Sequence, residues 1–289
     1  MPPAETDQTT ASPASGVATC IVRPEPFDPA RHLPAVAAAG FRSIELNSFR
    51  DRATFNWTSR EAVAALAQIA QESGLHVASV HAGGRWPRVT HGADAVSKYH
   101  DLLKRFCDLA VAVEADFLVV HLPNVECEGD VGRMRDWLDP LAEIVRPLPL
   151  RIGLENRMQH AEPAAELELI TSWPPDVFGF VLDTGHAHIS GHLDAYLAAA
   201  GPRLLGLHLN DNNGGIDAHR FPGEGTIPWA RFMQGVAASG FRGPLMLEVA
   251  VLSNPGSLEE RLARCADSVR MLTRLLHDRR PGTDAAPLA

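Results

Sequence analysis

RIGLENRMQHAEPAAELELITSWPPDVFGFVLDTG, residues 151–185, reads as strand, helix, strand. RIGLEN is a short apolar run ending at Asn156. PAAELELI is a helical pattern headed by proline, whose fixed φ suits a first turn. FGFVLDTG is a second apolar run, ending at Gly185. Neither run alternates polar with apolar residues, as expected of strands buried on both faces. Two such strands joined through a helix make a parallel βαβ unit.

The unit recurs along the chain. Further strands are expected at TCIVR near Cys20, SIELNS near Glu45, HVASVHA ending at Ala82 and FLVVHLP ending at Pro123, then at LLGLHLND ending at Asp211 and PLMLEVA ending at Ala250. Helical patterns follow each, and Gly40, Gly74 and Gly240 stand where helices should stop before the next strand. Eight units predict a (β/α)8 TIM barrel, an α/β fold, forming one domain over residues 17–278. A doubly wound sheet is the rival. No strand, however, is followed by the glycine-rich loop that would cradle a nucleotide phosphate in such a sheet. Residues 1–16, with neither a basic start nor an apolar stretch, are expected to be a disordered leader, and 279–289 a flexible tail.

Composition narrows the partners. The 289 residues carry 35 Asp and Glu against 26 Lys and Arg, a formal charge of −9, with no basic run to track a phosphate backbone. Nucleic acid is therefore an unfavoured partner. Cys20, Cys107, Cys127 and Cys265 are scattered without a C-x-x-C pair, which fits reduced thiols in a cytoplasmic protein. No apolar run has the roughly 20 residues a membrane helix needs.

In a barrel the C-terminal strand ends form the active-site face. His81, His121, Glu155, Asp183, His208 and Glu248 all fall at or near such ends, each after apolar residues. Buried charges need partners or a metal. Glu155, Asp183, His208 and Glu248, from four successive strands, offer three carboxylates and one imidazole, a set suited to one divalent cation. Mn2+ is favoured, and Mg2+, Co2+ or Zn2+ is admitted. For His81 and His121 a core role and a functional one are equally open. Glu45 either touches substrate or pairs with a neighbour. His76, His91, His100, His160, His188, His192 and His277 lie at strand starts, in loops or on helices, and are read as non-catalytic.

The runs LEN at Glu155, VLDTGHAH at Asp183, HLND at His208, DAHRFPGEGTIPW from Asp217 and LEV at Glu248 resemble the xylose-isomerase-like barrel superfamily. That superfamily holds sugar isomerases and epimerases, inosose dehydratases and endonuclease IV-like apurinic-site nucleases. Its ketose 3-epimerases bind one metal through Glu, Asp, His and Glu, matching Glu155, Asp183, His208 and Glu248. The resemblance implies that Glu155 and Glu248 move a proton on opposite faces of a hydroxy-ketone through a metal-stabilised enediolate, and that His186 binds substrate. It also implies that barrels of this kind often form homo-oligomers. His219 stands where those epimerases carry an arginine. The pair Asp217 and His219 resembles the nuclease D-x-H. His81, His121, His186, Asp217 and His219 therefore either complete a second metal site or bind substrate, and Arg85, Trp86 and Arg220 are candidate substrate contacts.

The reading that follows is a metal-dependent isomerase or epimerase of a small sugar-like carbonyl compound. Three alternatives stand beside it: a dehydratase of the inosose or dehydroshikimate type on the same site, an endonuclease IV-like phosphodiesterase, and a non-catalytic sugar-binding barrel.

Overall fold

A computed structural model describes residues 13–47, 55–83, 86, 92–123, 131–158, 162–250 and 253–278. Arg85, Cys127, most of the expected leader and the expected tail lie outside them.

Eight parallel strands close into a barrel in chain order. They are β1 (Ser15–Ala18), β2 (Ser43–Leu46), β3 (His76–His81), β4 (Phe117–His121), β5 (Arg151–Glu155), β6 (Phe178–Asp183), β7 (Leu204–Leu209) and β8 (Leu245–Leu247). Around them run α1 (Pro29–Ala38), α2 (Arg60–Glu72), α3 (Gly92–Ala112), α4 (Val131–Val145), α5 (Pro163–Thr171), α6 (Thr184–Ile189), α7 (Leu193–Ala200), α8 (Trp229–Ser239) and α9 (Leu258–His277). The helix stops fall where expected: Gly40, Gly74 and Gly240 have φ of +95°, +68° and +74°, a region other residues rarely adopt. Starts are capped by side chains. Ser59 accepts from the Ala62 amide, and Ser257 with Glu260 forms a capping box on α9.

Strand one corrects the expectation. The TCIVR stretch is not a strand, because Thr19–Val22 makes a 3-10 turn and the strand lies just upstream at Ser15–Ala18, starting inside the expected leader. The strand lies close against β8 there. A Cβ on Gly16 would lie 2.7 Å from the Met246 Cε on β8. The β-branched run after it is buried as a turn, and Thr19 Oγ1 bonds the Asn47 backbone from both sides. A second addition is α6, a short helix between β6 and α7 whose N-cap is Asp183 itself.

Most of the core lies between barrel and helices, while Phe117, Val119 and Val181 form a separate cluster. Gly153 and Gly206 make room for it. A Cβ on either would lie 2.6 Å from Val181 Cγ2 or 2.9 Å from Phe117 Cζ. The barrel is thus plugged with apolar side chains below its mouth, which leaves the mouth to polar ones. Among the described residues no helix is long and apolar enough to cross a membrane.

Candidate active site and metal centre

Register brings the strand-end residues together. His121 on β4 pairs with Glu155 on β5, and Asp183 on β6 pairs with His208 on β7. Glu155 is the hub. Its Oε2 lies 3.2 Å from His81 Nε2 and 3.3 Å from His121 Nε2, while its Oε1 lies 3.4 Å from both His186 Nδ1 and His208 Nδ1. Glu248 approaches the same His208 Nδ1 at 3.3 Å through Oε2. Asp183 accepts the His186 amide at 2.7 Å on Oδ1 and the Asn210 side-chain amide at 2.8 Å on Oδ2.

The loop after β7 supplies a second group. His219 has a φ of +44°, unusual for a residue with a side chain, and the surroundings hold it there. Its Nδ1–H donates to the Glu248 carbonyl (2.8 Å), and its own carbonyl accepts from the Ala250 amide and the Asn254 side chain. Nε2 is left 3.0 Å from Asp217 Oδ2, which also lies 3.5 Å from His186 Nε2. His186 repeats the device, since its Nδ1 lies 3.1 Å from the Asn156 carbonyl, which can only accept. Both rings therefore turn Nε2 toward Asp217.

Exposure sorts these groups by depth. Glu45, Glu155, Asp183 and His208 are at most 2% exposed, whereas the side chains of His121 (34%), Asp217 (24%) and His219 (17%) reach the opening. Burial, the largest single influence on each group, would discharge all of them. Mutual attraction reverses it almost everywhere. The neighbouring imidazoles hold Glu45 down at about 2 and keep Glu155, Glu248 and Asp217 low. Carboxylates in turn raise His186 and His219 to about 10, led by Asp183 for His186 and by Asp217 for His219. Two groups are exceptions: His121, which burial, reinforced by His81 and His186, lowers to about 4, and Asp183. Burial, helped by Glu155 and opposed by His186, lifts it to about 6.

Residues not singled out by the sequence also build the site. Asn47 donates to Glu248 Oε1 at 2.6 Å, Ser79 Oγ donates to Glu45 Oε2 at 2.7 Å, and Asn156 clasps the Asp183 backbone from both sides. Their signal was weak, because Asn beyond a strand reads as turn chemistry. Trp86 is buried against Tyr99 and Trp137 and donates to the His121 carbonyl, so it supports the β4 end. Arg220 pairs its backbone with Asp211, and its guanidinium reaches the Glu224 carbonyl at 3.4 Å. His76 and His188 are bonded to Asp116 and Thr226, and His100 to the Trp137 carbonyl, all apart from the cluster.

The donor set fits a cation. Glu155, Asp183, His208 and Glu248 each offer one ligand atom, all within 4.8 Å of one another. Ligands about 2.0–2.2 Å from a shared ion stand at most roughly 4.4 Å apart, so only a few tenths of an ångström separate this arrangement from coordination. Both Glu155 oxygens and His208 Nδ1 are buried without a hydrogen-bond partner among the described residues, which is the state of groups built for something else to bind. Three further groups, Glu45–His81–His208–Glu248, His81–His121–Glu155 and His186–Asp217–His219, meet the same distance test.

Residues 33–275 match the sequence profile of the xylose isomerase-like TIM barrel family. The chain belongs to this family. Family relatives include the D-psicose 3-epimerase of Enterocloster bolteae, 22% identical over 273 residues that cover 86% of this chain and 85% of the relative. The fructoselysine 3-epimerase of Escherichia coli O157:H7 is 25% identical over 174 residues, covering 53% and 59%. Among solved structures, the IolI protein with a binding zinc atom superposes with a TM-score of 0.76 at 16% identity, covering 92% of this chain and 99% of that one. At that identity the likeness is one of fold.

Proposed function

We propose that this family member is a divalent-metal-dependent isomerase or epimerase of a small, sugar-like hydroxy-carbonyl compound, acting in the cytoplasm with Mn2+ as its metal. The observation that carries the reading is the convergence of Glu155 and Glu248 on His208 Nδ1, at 3.4 and 3.3 Å, inside a four-residue donor set. The epimerase names of two relatives support it.

Glu155, Asp183, His208 and Glu248 would hold the cation. When bound, it supplies Lewis-acid stabilisation of negative charge developing on the substrate oxygens. Proton movement falls to the two glutamates. Surrounding imidazoles favour the ionised form of both. In turnover one, as carboxylate, takes the proton from the carbon beside the carbonyl and becomes the acid, while the other must enter carrying a proton taken up from solvent, which it delivers to the opposite face. Asn47 holds Glu248 Oε1 and so aims Oε2 at the centre. His121, Asp217 and His219, at the opening, are placed to bind substrate hydroxyls, and the apolar plug of Phe117, Val119 and Val181 closes the floor.

Incubating Mn2+-loaded protein with D-psicose, D-fructose and other ketoses in deuterium oxide should place deuterium beside the carbonyl. Glu155→Gln and Glu248→Gln should each slow that exchange by about 10²–10⁴-fold, the usual contribution of a placed acid or base. Absence of exchange with any ketose, inosose or keto acid would sink the reading. Loss of water, read as product mass, would redirect it to dehydration. The groups His81–His121–Glu155 and His186–Asp217–His219 favour a second reading, phosphodiester hydrolysis on a multinuclear centre. One metal ion per chain supports the epimerase, and three per chain would bring the hydrolase forward.

A further inference from the structure

Glu45 is a buried carboxylate against His208 that this mechanism leaves unused. It is wholly buried on β2, with its carboxylate turned to neighbouring side chains. A bulge between Ile44 and Glu45, where the pairing with β3 shifts register, sets it opposite Ser79. Its Oε2 accepts the Ser79 hydroxyl at 2.7 Å and lies 2.8 Å from His208 Nε2. The other nitrogen of the same ring, Nδ1, faces Glu155 and Glu248 and has no hydrogen-bond partner among the described residues. An imidazole that donates one N–H keeps its lone pair on the other nitrogen, and a carboxylate acceptor both fixes the ring plane and raises the basicity of that lone pair.

We infer that Glu45, held by Ser79, is a positioning residue that pins the proton of His208 on Nε2 and turns Nδ1 into the metal-binding atom. The inference rests on the metal-centre reading above and assigns Glu45 a role that no substrate contact would require. A merely structural ion pair makes a different prediction, since its loss would lower stability without changing which nitrogen binds metal or how tightly.

The full-length chain loaded with Zn2+, which is diamagnetic, allows the two nitrogens to be read by long-range ¹H–¹⁵N correlation on ¹⁵N-histidine protein. His208 should show a metal-bound Nδ1 and a protonated Nε2. In chelator competition, Glu45→Ala should weaken Zn2+ binding about 10–100-fold, the usual effect of losing such a partner. Glu45→Gln, whose amide oxygen can still accept from Nε2–H, should lose less. Should Glu45→Ala fail to fold by circular dichroism, the wild-type spectrum and Glu45→Gln decide the matter. A proton on Nδ1 in the wild-type protein, or Zn2+ affinity within twofold of wild type in every folded variant, overturns the inference. Wild-type protein that binds Zn2+ as described yet exchanges no deuterium would overturn the epimerase reading and leave this one standing.

Discussion

At the scale of single residues, the site is a set of carboxylates and imidazoles that neutralise each other, a task the proposed cation would share. Strand-end acids were legible in the sequence because a charge after four apolar residues is conspicuous and costly to bury. His81 and His121, left open between core and function, both lie against Glu155. What the sequence could not reveal is orientation: nothing in SIELN says that Glu45 reaches His208 while Asn47, just past the end of the strand, reaches Glu248. Asn47 makes the next prediction. Asn47→Ala removes the 2.6 Å hydrogen bond that leaves Glu248 with one free oxygen, and should lower kcat or metal affinity about 10–100-fold. Initial rates and Mn2+ titration read this directly, and unchanged values in both would show that Glu248 needs no such support.

Elements explain why some boundaries were readable and others were not. Helix stops rest on glycines with positive φ, a local requirement visible in the chain, whereas β1 is placed by pairing with β2 and with β8, whose residues are more than two hundred positions away. The loop HLNDNNGGIDAHRFPGEG shows both cases. Its glycine content announces tight turns, but its organiser is the wholly buried Asp211, which accepts from the amides of Gly223 (2.9 Å) and Ile227 (3.3 Å) and from Trp229 Nε1 (2.8 Å). That carboxylate ties the far end of the loop to β7 and so fixes where Asp217 and His219 can reach. Asp211→Ala leaves the Ile227 and Trp229 donors buried and unpaired, at about 1–3 kcal/mol for such a group. Chemical denaturation should show that loss. The loop would also present Asp217 and His219 less well, so KM should rise more than the loss of stability alone explains. A variant with full stability and unaltered KM would show that the loop is held elsewhere.

For the whole molecule, the barrel divides into an apolar plug and a charged mouth, and that division makes stability depend on pH in a calculable direction. In the metal-free protein His186 and His219 keep their protons to about pH 10, against an ordinary value of 6.5. A raised imidazole contributes stability that is complete below 6.5 and disappears as pH climbs toward 10. The depressed carboxylates Glu45, Glu155, Asp217 and Glu248 contribute above their ordinary values of 3.8 to 4.5 and lose it as pH falls. Asp183, lifted from 3.8 to about 6, subtracts a smaller amount as pH rises between those two values. The metal-free melting temperature should therefore peak near pH 6 and decline steadily toward pH 9.5. Ligation requires a bare nitrogen on His208, which the surrounding carboxylates also keep protonated above its ordinary value, and a cation beside His186 and His219 would repel their protons, so the proposed metal binds more tightly as these protons leave. Melting curves in chelator should then slope downward with alkalinity, while curves with excess Zn2+ should be flat or rise. Equal slopes with and without metal would mean that the imidazoles are not the counter-ions of this mouth, and the electrostatic account of its folding would have to be rebuilt around other groups.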